Sequence, residues 1–480
     1  MNKNRIIARH FLQSIVRSGA MLPLYIIWLL LIAYAGYSSF DQYTTQNKNI
    51  EFYQHTARES WEANPDKHPH RMAHFGSFAF RVKHPLSMFD NGMESFTGNA
   101  VYLEAHKQNT SNFSEAGFST GLLRFGEMSI SMLLQILLPL IIFFLGFNAI
   151  AQQRENGTLK ILLSQGAGFR NIILGNSIGL FAIAAMFLLP ALLMAGLLAV
   201  LQNNAAANAG LAGRALVIFL SSIAFIWIMS LIAVCVSALS NTGRTALLKL
   251  LGIWLLMAVV LPKTLQAAGS YIHPAPGKIE MEAAVETDIL KLGDSHNPDD
   301  AHYKRLKDSL LAVHKVDSIQ QLPFNYSGFQ MQEGERMSAQ VYNAHLKRLH
   351  DIYDRQNAIS YASAFINPLT GIKNISMAFS GTDFGAYRSF QEQAENYRYH
   401  LAQSMNALQM KYISNYKPGP NDKPQIIEKE HWSAFPDFEY KYQDVSIVLQ
   451  QQLPALVAML LWLVFSYVLI YYTSKKAKAI

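Results

Sequence analysis

Cysteine is almost absent: Cys235 is the single cysteine among 480 residues. One thiol cannot form a disulfide within its own chain, so cysteine usage gives no information on the redox compartment. Charged residues are also scarce, at 15%, and they are distributed unevenly. Stretches of about 20 residues are nearly free of charge, whereas others are as polar as a soluble domain. The chain therefore alternates between an apolar and an aqueous environment.

The sequence also lacks two features that could supply energy for transport: charged residues in the central part of the apolar runs and a nucleotide-binding motif. No Asp, Glu, Lys, Arg or His lies in the central part of the long apolar runs, although ion-coupled carriers usually need such a residue inside the membrane. This argues against a proton-coupled carrier, although sodium sites built from carbonyls and hydroxyls stay open. The nucleotide-binding motif G-x-x-x-x-G-K-[ST] is also missing, since the only Gly-Lys pair, at 277–278, lacks the rest of the pattern. ATP-driven work would need a separate ATPase chain.

Long apolar runs are what the sequence has in abundance. Runs of roughly 18 residues or more predict transmembrane helices, because about 20 residues at a rise of 1.5 Å cross the hydrocarbon of a bilayer. Six runs qualify, and we call them spans 1 to 6: 20–38, 130–150, 172–200, 215–239, 246–264 and 448–472. Pro139 falls inside span 2, where a kink is expected.

Basic residues predict the orientation of the spans. Four connecting segments are basic: the N-terminal segment 1–19, the loop 151–171, the link around Arg244 and Lys249, and the tail 473–480. If all six runs span, these segments share one side, which the positive-inside rule predicts to be the cytoplasm. The segments 39–129 (first insertion) and 267–447 (second insertion) then lie outside, together with the uncharged loop 201–213.

The N-terminal segment carries its cations at regular spacing. Arg5, Arg9, Gln13 and Arg17 recur every four residues, which predicts a basic amphipathic helix lying flat in the headgroup region. A simple cytoplasmic extension of span 1 is the alternative. The Ala-Tyr-Ala at 33–35 also resembles a signal-peptide cleavage site, but the apolar run is long for a signal sequence, which favours a retained span.

The loop 151–171 contains QRENGTLKILLSQGAGFRN between two apolar spans. Gly157 interrupts the helix that leaves span 2, TLKILLSQ predicts one short amphipathic helix, and Gly166 follows it. A helix of this kind at the membrane face can dock in a groove on a soluble partner. Arg154 and Glu155 offer charged contacts to that partner.

QRENGTLKILLSQGAGFRNIILGN is similar to the E-x-G-T-L-K-x-L-L-S segment of ABC-2-type ABC transporter permeases; a generic charged loop is the alternative. In that family this loop forms the coupling helix, which contacts the ATP-binding subunit and moves with it during the ATP cycle. The N-terminal amphipathic helix resembles the family's elbow helix, and six spans match its core. The resemblance implies these coupling residues: Arg154, Glu155, Gly157, Thr158, Leu159, Lys160, Leu163 and Ser164.

The resemblance extends outside the spans. HFGSFAFRVKHPLSMFDNGMESFTGNAVYLEAHKQN (74–109), LPFNYSGFQMQEGERM (322–337) and INPLTGIKNISMAFSGTDFGAYRSFQEQAENYRYHL (366–401) resemble a bacterial subgroup of ABC-2 permeases with large periplasmic insertions of unknown function. The similarity covers nearly the whole chain, but it brings no established substrate.

The predicted fold is therefore an all-α membrane protein with six transmembrane helices, ABC-2 (type V exporter-like), and two extracytoplasmic insertions. The first insertion is predicted to be α+β or β-rich, since short β-favouring pieces alternate with turn residues over 74–105. The second is predicted to be mainly helical. Asn367-Pro368 should end one of its helices, and Gly371 should mark a loop.

Fourteen of the fifteen histidines lie in the two insertions. His68, His70 and His74 are close together in HPHRMAH, with His84 and His106 following. Because imidazole nitrogens suit zinc, copper or nickel, the first three are candidates for a metal site. Their spacing matches no zinc motif, so ordinary surface histidines are the favoured interpretation.

Four charged residues of the second insertion allow two interpretations. Asp383, Arg388, Glu333 and Arg336 would either form structural ion pairs or line a substrate vestibule, and structural pairs are favoured. No catalytic residues are recognised, so we expect no enzymatic activity in this chain. ATP and Mg²⁺ would be bound by the partner subunit.

The resemblance implies the permease subunit of an exporter in a bacterial inner membrane, with both termini in the cytoplasm. Its partners would be an ATP-binding subunit, a second permease of the same or a similar kind, the lipid bilayer and a periplasmic protein, but not nucleic acid. Spans 2 and 5 would line the pathway, for which Gln135, Asn148 and Asn176 are candidates. One alternative is a non-transporting mechanotransducer that acts on a periplasmic partner. Another, disfavoured by the charge-free spans, is an ion-coupled secondary carrier.

Overall fold

A computed structural model of the protein describes residues 3–109, 128–201, 210–294, 297, 299–416, 418–419 and 422–478. It is mostly helical, and six of its helices are long and apolar enough to cross a membrane, which confirms the six predicted spans. Spans 1 to 6 are the helices Met21–Glu62, Ile130–Glu155, Phe169–Val200, Leu211–Ala238, Gly243–Ile272 and Leu453–Lys476. The chain is thus a multi-pass membrane protein. Most of the predicted loop 201–213 lies outside the described residues.

The spans differ sharply in how much of their surface they bury. In spans 2 and 4, 67% of the most apolar stretch is buried inside the chain, against 11% in span 5. Span 1 is fixed to span 3 by Trp28, whose indole Nε1 donates to the Phe187 carbonyl at 2.7 Å. Spans 2, 3 and 4 therefore form the core, and span 5 leaves most of its surface for lipid or another chain.

Span 1 has 42 residues and is continuous from Met21 to Glu62. At 1.5 Å per residue it is roughly 60 Å long, about twice the hydrocarbon thickness of a bilayer. The first insertion therefore begins as an extension of this helix. Its only sheet within 39–109 is one pair of antiparallel strands, β1 (Ser77–Phe80) and β2 (Ala100–Leu103). Of the two predictions for the first insertion, α+β agrees with the described residues, which combine helices with this small sheet, and β-rich is wrong because most of the segment is helical or irregular.

The remaining helices belong mainly to the second insertion. The first insertion adds Pro69–Ala73 and Glu94–Thr97 and a 3₁₀ turn at Pro85–Met88. The second contains Lys278–Leu292, Ala301–His314, Tyr326–Ser363, Pro368–Ser380, Phe384–Tyr412, Glu430–Ser433 and Val445–Gln451, with a 3₁₀ turn at Ile319–Gln321. A separate helix, Lys3–Arg17 (the N-terminal helix), precedes span 1.

A buried ion-pair network joins the two longest helices of the second insertion. Arg398 is 1% exposed, and its Nη1 lies 2.6 Å from Oε1 of the fully buried Glu335. The same guanidinium donates through Nε to Glu395 Oε2 at 2.8 Å. Burial alone would raise the pKa of Glu335, but the hydrogen bond from His106 and the charge of Arg398 lower it to about 2. The carboxylate is therefore ionised and held in place.

The helix Pro368–Ser380, which we call the wedge helix, occupies the segment where a loop was predicted. Asn367 caps it by accepting from the Leu369 N–H at 3.1 Å, and Pro368 occupies the first turn, where its missing N–H costs nothing. Gly371 lies inside it, where a side chain would press on Met459 of span 6. The loop prediction was wrong because proline and glycine here start a helix and permit close packing.

Candidate functional site

The loop between spans 2 and 3 contains one short helix, Thr158–Ser164, which we call the loop helix. Gly157 precedes it with φ = +71°, a left-handed conformation that glycine adopts without strain. Leu159 is fully buried and anchors the loop helix, whereas Lys160 is exposed and Ile161 is 57% exposed. The loop helix therefore presents a mixed apolar and basic surface to solvent at this end of the bundle, which we call the loop end.

Arg154 joins the loop end to span 4 and the tail. Its guanidinium donates to the Ala238 carbonyl at 2.7 Å, the Lys478 carbonyl at 2.9 Å and the Ser240 carbonyl. These bonds satisfy carbonyls that the end of span 4 leaves without helical partners. Arg154, expected to contact another protein, is thus used within the chain, and the neighbouring Glu155 is exposed.

The N-terminal helix packs against span 3 through a glycine notch. A Cβ on Gly175 would lie 2.6 Å from the Ile7 Cβ, and one on Gly179 would lie 2.8 Å from the Ala8 carbonyl oxygen. This Gly-x-x-x-Gly spacing lets the two helix backbones approach closely. The N-terminal helix is therefore part of the folded bundle.

The N-terminal helix also contacts the loop directly. Lys3 Nζ donates to the Gly166 carbonyl at 2.7 Å, and Asn171 Nδ2 donates to Asn4 Oδ1 at 2.9 Å. Together with the Arg154 bonds, these contacts join all four basic segments at the loop end. Motion of the loop helix would consequently act on spans 2, 3 and 4 together.

Spans 2 and 5 share an irregularity. Each contains one π-helical turn, Leu133–Leu137 in span 2 and Leu256–Val260 in span 5. A Leu-Pro pair follows each turn directly, with the prolines at Pro139 and Pro262. A proline inside a helix lacks its N–H and clashes with the carbonyl four residues earlier, which favours a widened turn, although Pro190 in span 3 is accommodated without one. Such π-turns are frequent at functional positions.

Side chains from other elements bind the carbonyls of both π-turns. The Trp254 indole Nε1 of span 5 donates to the Ile136 carbonyl in span 2 at 2.9 Å. Asn367 Nδ2, at the start of the wedge helix, donates to the Met257 carbonyl in span 5 at 2.9 Å. The two irregular turns and the wedge helix are therefore linked by a chain of hydrogen bonds.

The wedge helix is held at its other end by a buried carboxylate and a buried guanidinium. Asp90 accepts from the Ser376 hydroxyl, and burial raises the pKa of Asp90 despite that bond. Arg214, 3% exposed, donates to the carbonyls of Ala378 at 3.4 Å and Phe379 at 3.3 Å and to that of Gln443. The sequence reasoning missed Arg214, which stands just before the predicted start of span 4.

The three pathway candidates do not lie together. Gln135 is buried in the span 2 π-turn and borders a small cavity shared with Ile372 and Ser376 of the wedge helix. Asn148 lies against the start of span 5, and Asn176 Nδ2 donates to the Ala149 carbonyl at 3.4 Å. The separation of 13 positions between Gln135 and Asn148 corresponds to roughly 20 Å along a helix. Gln135 therefore lies by the wedge helix, and Asn148 and Asn176 lie near the loop end.

The charged residues singled out in the second insertion form local contacts. Arg336 Nη2 lies 2.6 Å from Glu333 Oε1, and Arg388 Nη1 lies 3.1 Å from Asp354 Oδ2. Asp383 caps the helix that follows it. The favoured ion pairs are present for Arg336 and Arg388, whereas Asp383 acts as a helix cap; a vestibule lined by these residues stays an untested alternative.

The histidines group differently from their order in the sequence. His68 is the cap of the helix Pro69–Ala73, where its Nδ1 accepts from the His70 N–H at 3.2 Å, and it is not among the clustered histidines. His70 and His74 come together with His106 instead, with one nitrogen of each within 4.8 Å of the others. This cluster differs from the predicted set in one member, because chain proximity does not determine which side chains meet.

The family model described as Domain of unknown function (DUF3526) matches residues 278–441. The matched segment contains the wedge helix and the two long helices of the second insertion, and none of the six spans. A search of curated proteins finds no match to the chain. The matched description specifies no activity, so a functional assignment depends on the geometry of the bundle.

Proposed function

We propose that the chain is the permease subunit of an ABC-2-type ABC transporter in a bacterial inner membrane, with both termini in the cytoplasm. The observation that carries this proposal is the loop helix, which is anchored by Leu159 and exposes Lys160 and Ile161. A separate ATP-binding subunit docks on this surface. The similarity of the sequence from Arg154 to Ser164 to the coupling segment of ABC-2 permeases supports the same assignment.

In the proposed cycle, ATP binding closes a pair of ATPase subunits and displaces the loop helix. The displacement reaches spans 2 and 3 through the chain itself, and span 4 through the Arg154 bonds to Ala238 and Ser240. A second permease covers the exposed face of span 5, which buries only 11% of its apolar stretch within this chain. The pathway follows spans 2 and 5, where the two π-turns lie, and the direction is export.

The docking surface is testable by a matched pair of charge reversals. Lys160→Glu alters the loop helix, and Arg9→Glu makes the same change at an exposed position of the N-terminal helix. Each is purified from native membranes in mild detergent, and a co-purifying ATPase is identified by mass spectrometry and quantified. We expect Lys160→Glu to lose most of the ATPase, Lys160→Glu combined with Ile161→Asp to lose it completely, and Arg9→Glu to retain it. Equal retention by both variants, or no ATPase with the wild type, would contradict the proposal.

A second candidate function is a mechanotransducer that moves the insertions without transporting a substrate. It is favoured by the continuity of span 1, whose far end is bound to the second insertion. There Arg58 donates to the carbonyls of Phe435 at 2.8 Å and Ser433, and its Nη1 lies 3.3 Å from Asp437 Oδ1. A tilt of span 1 would be transmitted directly to that insertion.

Labelling during ATP turnover distinguishes the two functions. In a chain with Cys235 replaced by serine, two separate variants, Gln135→Cys and Leu256→Cys, each place a single thiol at one of the two π-turns. A transporter exposes them to a membrane-impermeant maleimide in an ATP-dependent way. A mechanotransducer leaves them protected while a thiol at the exposed Tyr53 changes its labelling rate.

A further inference from the structure

Three imidazoles converge in the first insertion, outside the described spans. His70 and His74 are one helical turn apart around the helix Pro69–Ala73, and His106 follows strand β2. One nitrogen from each lies within 4.8 Å of the other two. The ring centroids are 4.7 Å apart for His70 and His74, and 5.5 Å and 5.2 Å from that of His106.

The local backbone brings these rings together. Residues four apart on a helix lie on the same face, which aligns His70 and His74. His106 has φ = +63°, an uncommon conformation for a residue other than glycine, in the tight turn closed by the bridge between Glu104 and Lys107. Uncommon backbone conformations of this kind concentrate at functional positions.

His106 is oriented by a buried carboxylate of the second insertion. Glu335 Oε2 accepts from the His106 backbone N–H at 3.0 Å and lies 3.3 Å from its ring Nδ1. An imidazole that donates Nδ1–H to a carboxylate keeps its lone pair on Nε2, the arrangement typical of metal-bound histidines. Arg398, at 2.6 Å, holds Glu335 in turn. The supporting contacts of a metal ligand are therefore present.

We propose that His70, His74 and His106 bind a zinc ion, with Glu335 as the positioning residue for His106. Three histidines with a fourth position left to water or another ligand is a common zinc arrangement. Zn–N bonds of about 2.0–2.1 Å place the nitrogens of a tetrahedral site roughly 3.4 Å apart, so the three rings must approach by about 1 Å. The exposed position of His74 leaves room for that rotation.

The ion would have a defined structural effect. It links the helix Pro69–Ala73 to the turn after β2 and, through Glu335, to the long helix Tyr326–Ser363. Trp61 and Trp432 are buried in the same hydrophobic cluster as Met72 and Ala73 and can report on this joint by fluorescence. Zinc should therefore stabilise the contact between the two insertions.

The test uses the full chain in detergent, purified without a histidine tag, stripped with chelator and titrated with ZnCl₂ against a chromophoric competitor. We expect one zinc per chain and at least a tenfold weaker affinity in His74→Ala and in His106→Asn, which tolerates the positive φ. The matched control is His55→Ala, because His55 is 74% exposed and outside the cluster; it should bind as the wild type does.

Two further readouts separate zinc binding at this site from binding elsewhere. Zinc should raise the melting temperature followed by tryptophan fluorescence in the wild type and His55→Ala, but not in His74→Ala. Co²⁺ should give the visible absorption of a tetrahedral site in the same two proteins only. Absence of zinc uptake by the wild type at micromolar free zinc, or uptake by His74→Ala and His106→Asn equal to that of the wild type, would overturn the proposal.

Discussion

Both ends of the bundle use one arginine to bind three backbone carbonyls, and the two arginines differ in burial. Arg154 at the loop end is half-buried and binds the end of span 4 and the tail. Arg214 at the opposite end, which carries the insertions, is 3% exposed and binds the end of the wedge helix. Water therefore reaches the guanidinium of Arg154 but not that of Arg214. The loop end is therefore suited to movement, and the wedge helix is firmly held.

The largest expected effect is at the buried arginine. Arg214→Met removes the donor to the buried Phe379 carbonyl, one of the two donors to the Ala378 carbonyl and the bond to Gln443, which should reduce the free energy of unfolding by about 3 kcal/mol. The fall in melting temperature, measured by circular dichroism in detergent, should greatly exceed that of Arg154→Met. Equal effects of the two substitutions would contradict the difference drawn between the two ends.

Next in size is the glycine notch on span 3. Gly179→Leu places a side chain against the Ala8 backbone and should cost about 1–3 kcal/mol by overpacking. Hydrogen exchange should then show loss of protection over residues 3–17. The control is Gly196→Leu in the same span, where a Cβ meets nothing within 4 Å, and it should leave the N-terminal helix protected.

A pH effect should distinguish the insertion end from the loop end. Burial, and secondarily the charge of Arg214, lower the pKa of His84 to about 3. Since the unfolded chain takes up a proton near pH 6.5 and the folded chain does not, stability falls as the pH drops below 6.5. Between pH 7 and 5.5 the loss should be about 1 kcal/mol.

His84→Asn serves as the variant for this test, because asparagine can still cap the 3₁₀ turn Pro85–Met88 but does not titrate. The melting temperature of the variant should depend less on pH than that of the wild type, which isolates His84 from the other titrating groups. Parallel pH profiles would show that His84 does not titrate as stated.

The smallest effect on stability is expected for Arg154→Met, at about 0.5–1 kcal/mol, since the Arg154 side chain is only half-buried and water can enter when it is removed. If the loop helix is the proposed docking element, the same substitution should impair ATPase stimulation by the permease far more than it impairs folding. Stimulation measured in reconstituted vesicles, with Arg9→Glu as the control, checks this. A loss of stimulation no greater than the loss of folded protein would count against the coupling role of Arg154.

Structural features that depend on the length and apolar content of a run were predicted correctly from the sequence. Features that depend on contacts between residues distant in the chain were not. Six spans and the loop helix follow from uninterrupted apolar runs and from glycines at the helix ends. The wedge helix was missed because Pro368 and Gly371 usually interrupt helices, whereas here one starts the helix and the other packs against Met459.

The candidate site shows the same division. Arg154 and Glu155 were both expected to face a partner, but only the fold reveals that Arg154 turns back to the end of span 4. The grouping of His106 with His70 and His74 joins residues 32 and 36 positions apart, which no local spacing rule can indicate. The two π-turns carried no readable signal either, since the Leu-Pro pair that follows each of them also occurs at 189–190 in span 3, where the helix stays α-helical.

The unbroken helix from Met21 to Glu62 has a mechanical consequence. A rod of roughly 60 Å that pivots near its membrane end acts as a lever arm, so a tilt of about 5° moves its far end by about 5 Å. That far end is attached through Arg58 to the carbonyls of Ser433 and Phe435. A small tilt of span 1 within the membrane therefore moves the insertions by a distance comparable to the pitch of a helix.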